Sequence, residues 1–133
     1  MSQENVEIAR QHHAAWNRRD MTAFLEPLDP RVEWIPIMAA LEGRVYRGPE
    51  GVRRWCRELE TDWETFEVHP EEHRDLGDRV LLLGHWRARG RASGIELENQ
   101  AASWLYEIRN GKIVSMQTFT DRDEALAAVG LKN

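Results

Sequence analysis

The sequence predicts an α+β domain, with helices gathered on one side of a mainly antiparallel sheet. Three observations predict it. Most apolar residues before about residue 63 recur at helical spacing. After that point the spacing changes to the period of two that belongs to strands. An Asn-Gly pair at 110–111 sits between two such strands, where a tight hairpin needs positive φ.

The elements follow in order. From about Gln3 to Arg18, Val6, Ile8, Ala9, His12, His13 and Trp16 fall on one half of a helical wheel. Glu4, Glu7, Arg10, Gln11 and Arg18 take the other half. Asp20 is placed to cap a second helix, Met21 to Leu28, which Asp29-Pro30 should end. Val32 to Ile37 reads as a strand, and Gly43 to Gly48 as a turn-rich stretch.

Pro49 suits the first position of a third helix, whose stripe is Val52, Trp55, Cys56 and Leu59, extended by Trp63. Phe66 to Asp75 reads as a polar edge strand, weakened at Pro70. Val80 to Arg89 and Ile95 to Ile108 are strong strands, and Ile113 to Phe119 pairs back across Asn110-Gly111. Asp121, with Glu124 three residues on, should cap a last helix ending at Gly130, with Leu131 closing a Schellman contact.

Composition narrows the function. A chain of 133 residues suits one domain, residues 1–133. A net charge of -5 without a basic cluster argues against nucleic-acid binding. The single cysteine, Cys56, allows no intrachain disulfide and points to a reducing compartment. The polar N-terminus does not read as a signal peptide. The longest apolar run, Val80 to Leu83, falls far short of the ~20 residues of a membrane span. A cytoplasmic protein, bound to neither membrane nor nucleic acid, is expected. Six tryptophans in so short a chain read either as a well-packed core or as the walls of an aromatic cavity.

Several segments together resemble the SnoaL-like group of the nuclear-transport-factor-2-like superfamily. They are Ala14-Ala15-Trp16-Asn17-Arg18-Arg19-Asp20, Tyr46-Arg47-Gly48-Pro49-Glu50-Gly51-Val52 and Arg109-Asn110-Gly111-Lys112-Ile113-Val114. The tail Asp121 to Leu126 with Gly130-Leu131 also fits. The resemblance implies a cone: a curved sheet whose concave face meets the N-terminal helices and encloses a pocket. It implies fold more than function, because this fold hosts isomerases, cyclases, hydrolases and binders.

That architecture selects which residues face the hollow. Val80, Leu82, Gly84 and Trp86 should point inward, with Trp104 and Tyr106 beside them and Val114, Met116 and Thr118 from the last strand. Trp34 and Met38 should join from the first strand, Trp55 from the third helix and His12 from the first; Trp16 should pack as core. Gly84 either leaves room for a ligand or marks a bend. Such a wall suits a flat hydrophobic ligand. Leu81, Leu83, His85, Leu105, Gln117 and Phe119 should lie on the convex face, where a homodimer would cover them unless the last helix does.

Proton-transfer enzymes of this fold place a carboxylate base on the first strand. Here the resemblance puts Trp34 at that position, Trp104 near the acid-donor position and His12 where a tyrosine is common. A tryptophan cannot accept a proton. His12 is therefore the candidate catalytic residue, with His13 its competitor by helical angle, and a backbone-bonded core histidine is the other reading. His69 and His73, with Glu71 and Glu72, read as a solvated edge rather than a metal site. Cys56 reads as core and Asp121 as a cap. Glu98 and Gln100 reach the pocket mouth unless a bulge flips them.

Three functions compete. One is an isomerase, cyclase or hydrolase that works by proton transfer without a cofactor. The second is a binding module for a hydrophobic or aromatic metabolite. The third is an assembly domain.

Overall fold

The computed structural model describes residues 2–37 and 42–131. Its elements run α1 (Ser2–Arg18), α2 (Met21–Leu25), β1 (Leu28–Ile35), β2 (Tyr46–Arg47), α3 (Gly48–Asp62), β3 (Trp63–Asp75), β4 (Arg79–Gly90), β5 (Glu96–Arg109), β6 (Lys112–Phe119) and α4 (Arg122–Ala128). The strands form one sheet in the order β2-β1-β6-β5-β4-β3. All neighbours are antiparallel except β1 and β6. The fold is therefore α+β, as predicted. No described helix is long and apolar enough to cross a membrane.

α1 buries Val6, Ala9, His12, His13 and Trp16 of the predicted stripe, leaves Ile8 half-buried and adds Ala15. It docks on the edge strand β3 by side-chain bonds that replace a missing strand. Trp16 Nε1 donates to the Phe66 carbonyl at 2.8 Å. Asn17 donates to the Val68 carbonyl at 2.7 Å and accepts from the Val68 amide at 3.0 Å. These bonds satisfy edge groups that would otherwise need water. Asp20 caps α2 through the Ala23 amide. α2 stops at Leu25, short of the predicted Leu28, because Leu28 already pairs with Ile113 in the sheet. Asp29-Pro30 does not end a helix. Pro30 lies in β1 where the register with β6 shifts, which tolerates its missing N–H.

The sheet bends at Gly84. A Cβ there would lie 2.0 Å from the His69 carbonyl oxygen, so only glycine permits this approach of β3 to β4. Register shifts flank it, between Pro70 and Glu72 on β3 and opposite the Gly84–Trp86 step on β5. Bulges of this kind increase local twist and curve a sheet around a hollow. Gly84 is thus a bend and leaves no space for a ligand.

The two faces bury different residues. On the concave face Val80, Leu82, Trp104, Tyr106, Ile113 and Met116 pack with α1, α2 and α3. Val114 does not join them, because a shift between Glu107 and Ile108 brings Ile113 inward instead. On the convex face Leu81, Leu83 and Phe119 pack against Ala125 and Leu126 of α4. That helix begins at Asp121, whose carboxylate accepts from the Asp123 amide. It ends in the predicted Schellman motif: the Leu131 and Gly130 amides bond the Leu126 and Ala127 carbonyls at 2.8 and 3.0 Å, with Gly130 at φ 77°. The last helix therefore covers much of the patch that motivates a dimer. Only His85, Leu105 and Gln117 of that set stay half-buried.

Candidate ligand cavity

Between the concave face and the helices lies a cavity of about 430 Å³. All six tryptophans of the chain line it: Trp16, Trp34, Trp55, Trp63, Trp86 and Trp104. Their placement follows from the elements. Trp34 leaves β1 on the inner side, Trp86 and Trp104 follow the inward alternation of β4 and β5, and Trp55 lies on the buried stripe of α3. Trp55 packs 5.3 Å from both Trp16 and Trp34, ring centre to ring centre. Phe66 stacks on Trp86 at 5.3 Å. The contacts are offset and tilted, as aromatic quadrupoles prefer.

Most of the predicted wall is present. Trp34, Trp55, Trp86, Trp104, Tyr106, Met116 and Thr118 all line the cavity. Leu82 is buried in the core behind it rather than on its surface. Met38 lies outside the described residues. Trp16 is core, as expected, but it is also wall.

The two histidines exchange the positions expected of them. His12 is 2% exposed and does not line the cavity. Its Nε2–H donates to the Phe24 carbonyl at 3.0 Å, which leaves Nδ1 to accept from the Tyr106 hydroxyl at 2.8 Å. Its ring stacks on Phe24 at 4.1 Å. Burial pushes its pKa down to about 3, against a smaller opposing pull from the Phe24 carbonyl. With both ring nitrogens bonded, this neutral imidazole holds the Tyr106 phenol in place. Burial raises the pKa of that phenol well above its usual range.

His13 lines the cavity instead, edge-on to Trp104 at 4.6 Å. Burial, then the neighbouring His12, hold its pKa well below the usual value. Its Nδ1 is buried without a hydrogen-bond partner among the described residues, as are the indole nitrogens of Trp34 and Trp86. Each such group costs about 1–3 kcal/mol while unpaired.

The other candidates settle into structural places. Cys56 is buried on α3 and its thiol is pushed up to about 12, first by burial. His69 stacks on His85 across the β3–β4 ladder, and its Nε2 lies 3.2 Å from Glu67. Among the described residues no group of three or more His, Cys, Asp or Glu could hold a metal. Glu98 is turned away by the β5 bulge and pairs with Arg87, and Leu97 takes the wall position.

The mouth escapes sequence reasoning. Glu58, Leu59 and Asp62 of α3 line it together with Trp63, Phe66 and Arg44. The i, i+3, i+4, i+7 spacing of Trp55, Glu58, Leu59 and Asp62 is a readable signal, but a wheel that assigns carboxylates to the solvent side hides it. Tyr46 bridges the same region: its hydroxyl donates to Glu58 at 2.5 Å and accepts from Arg44 at 3.2 Å.

Solved structures share this fold. The structure resembles an NTF2-like protein of unknown function from Burkholderia pseudomallei, with TM-score 0.79 and 22% identity, covering 96% of this chain and 98% of that one. An NTF2-like protein from Burkholderia thailandensis has TM-score 0.75 and 28% identity over 85% and 87% of the two chains. A Shewanella denitrificans protein named as a SnoaL-like polyketide cyclase has TM-score 0.70 and 12% identity over 85% and 87%. No curated protein matches the sequence significantly. The SnoaL-like domain profile matches residues 9–116, most of the chain, and the chain therefore belongs to the SnoaL-like domain family.

Proposed function

We propose that the protein binds a small, flat, largely apolar molecule in this cavity. One observation carries the reading: every tryptophan in the chain lines one hollow of about 430 Å³. A core built only for stability would close on its rings, since protein interiors pack as densely as organic crystals. A cavity of this size suits a molecule of two or three fused rings, within the usual range of ligand pockets. The unpartnered nitrogens of His13, Trp34 and Trp86 favour a ligand that carries a carbonyl or hydroxyl oxygen.

Thermal melts with a panel of hydroxylated naphthalenes, naphthoquinones and anthraquinones test the reading. A true ligand at a hundred times its Kd should add about 2.7 kcal/mol of stability. Trp55→Ala should abolish that gain. A panel that leaves the melting temperature unmoved, while the folded protein stays intact, contradicts the proposal.

A second reading, proton-transfer catalysis without a cofactor, has one observation behind it: His13 Nδ1, buried at the wall and unbonded among the described residues. Desolvation keeps the ring neutral across physiological pH, so it would act as a polarising donor or a weak base, not as an imidazolium. In this reading His13→Ala removes turnover while ligand affinity stays within a few-fold. An unchanged rate removes His13 from any mechanism. His12 plays no direct part in either reading; it positions Tyr106.

A further inference from the structure

The charges at the cavity mouth narrow the class of ligand. Resting on the ligand reading above, we propose that the cavity takes an amphiphilic organic cation, a substituted ammonium on a flat apolar body, with its charge held at the mouth between α3 carboxylates and aromatic faces.

α3 turns a single stripe toward the hollow. Trp55, Glu58, Leu59 and Asp62 lie at i, i+3, i+4 and i+7, so two carboxylates stand one turn apart on a wall that is otherwise aromatic. Among the described residues the Asp62 carboxylate has no hydrogen-bond or ion-pair partner, although its main-chain carbonyl accepts from the Arg91 amide at 3.0 Å. Glu58 accepts the Tyr46 hydroxyl on Oε1, and its second oxygen remains available. Both side chains belong to exposed residues, so an incoming charge can reach Asp62 directly and Glu58 through the oxygen that Tyr46 leaves free.

Arg44 is the one cation among the described residues lining the cavity, and its charge is already satisfied. Its guanidinium pairs with Glu42 at 2.8 Å and bonds the Tyr46 hydroxyl. The half-buried rings Trp55, Trp63, Phe66 and Trp86 also line the cavity, and they present negative faces. Aromatic faces and carboxylates that lack an ion-pair partner attract the same kind of ligand. A quaternary or tertiary ammonium gains from both, because its methyl groups bury against rings while its charge meets Glu58 and Asp62. A carboxylate or phosphate ligand would meet two like charges, and Arg44, the arginine that lines the cavity, is already paired.

Isosteric probes separate charge from shape. Phenyltrimethylammonium and tert-butylbenzene have nearly the same volume and differ in charge, and benzenesulfonate supplies the opposite sign. Titration by tryptophan fluorescence should show the cation binding at least about 10-fold more tightly than the neutral isostere. Benzenesulfonate should bind most weakly of the three. Glu58→Gln and Asp62→Asn, singly and together, should erode the preference for the cation. They should leave tert-butylbenzene affinity unchanged, which also shows that the variants are folded. Equal affinity for cation and neutral isostere overturns the proposal while leaving an apolar ligand cavity intact. Tighter binding of benzenesulfonate overturns it as well. Failure of all three probes to perturb the tryptophans overturns it together with the ligand reading beneath it.

Discussion

The two faces of the sheet are built by different rules. The convex face is aliphatic and sealed. Leu81 and Leu83 are at most 1% exposed, and α4 closes over them with Ala125 and Leu126. The concave face is aromatic and hollow, and it carries polar atoms inside it. Both faces draw on the same strands, since alternate residues of β4 serve each. The difference teaches that burial alone does not mark a site. Leu81 and Trp104 are both buried, but only one has a cavity beside it.

Both faces depend on the bend at Gly84. Gly84→Val places atoms where a Cβ already lies 2.0 Å from the His69 carbonyl oxygen. It should cost at least about 4 kcal/mol, through strain in β3 and β4 and loss of the bend. Urea denaturation measures it; a loss under ~1 kcal/mol means the bend does not depend on this contact.

A second change tests the sealed face alone. Leu126→Ala removes a side chain that is 1% exposed and packs over Leu81 and Leu83. The expected loss is about 3 kcal/mol. Ligand affinity should not change, because α4 adds nothing to the cavity wall. A large fall in affinity at full folding would show that the faces are coupled.

The third change acts on the hollow face through pH. His12 and His13 titrate far below the unfolded value of 6.5, His12 at about 3. The unfolded chain therefore binds more protons between these limits, and stability is lost as pH falls. The contribution is fully present above about 6.5. Below it, each histidine should cost about 1.4 kcal/mol per pH unit until its folded pKa is reached. Chemical denaturation at pH 7, 6 and 5 checks the slope, and a flat profile would mean that neither ring is held neutral.

The neighbouring histidines also show how much of the site is legible in sequence. The helical wheel puts both on the buried side of α1, which is correct, but it cannot say which meets the hollow. That is decided by tertiary partners. The Phe24 carbonyl and the Tyr106 hydroxyl, 12 and 94 residues away, capture both nitrogens of His12. The strand alternation places Trp86, Trp104 and Tyr106 correctly because period two survives any amount of bending. It fails at Leu97 and Val114, each beside a bulge that shifts the phase by one residue. Glu58 and Asp62 escape a wheel of α3 read for apolar residues only. The fold itself is readable through local chemistry, notably the Asn110-Gly111 turn and the Gly130 cap, where φ is positive at each residue.

The most direct test of the central claim follows the six indole N–H resonances by NMR during titration with 1-naphthol. The account predicts that the signals of Trp34, Trp55, Trp86 and Trp104 shift together along one binding curve, while the backbone amides of α4 stay still. Shifts confined to α4 and the convex strands, with the indoles unmoved, would contradict it.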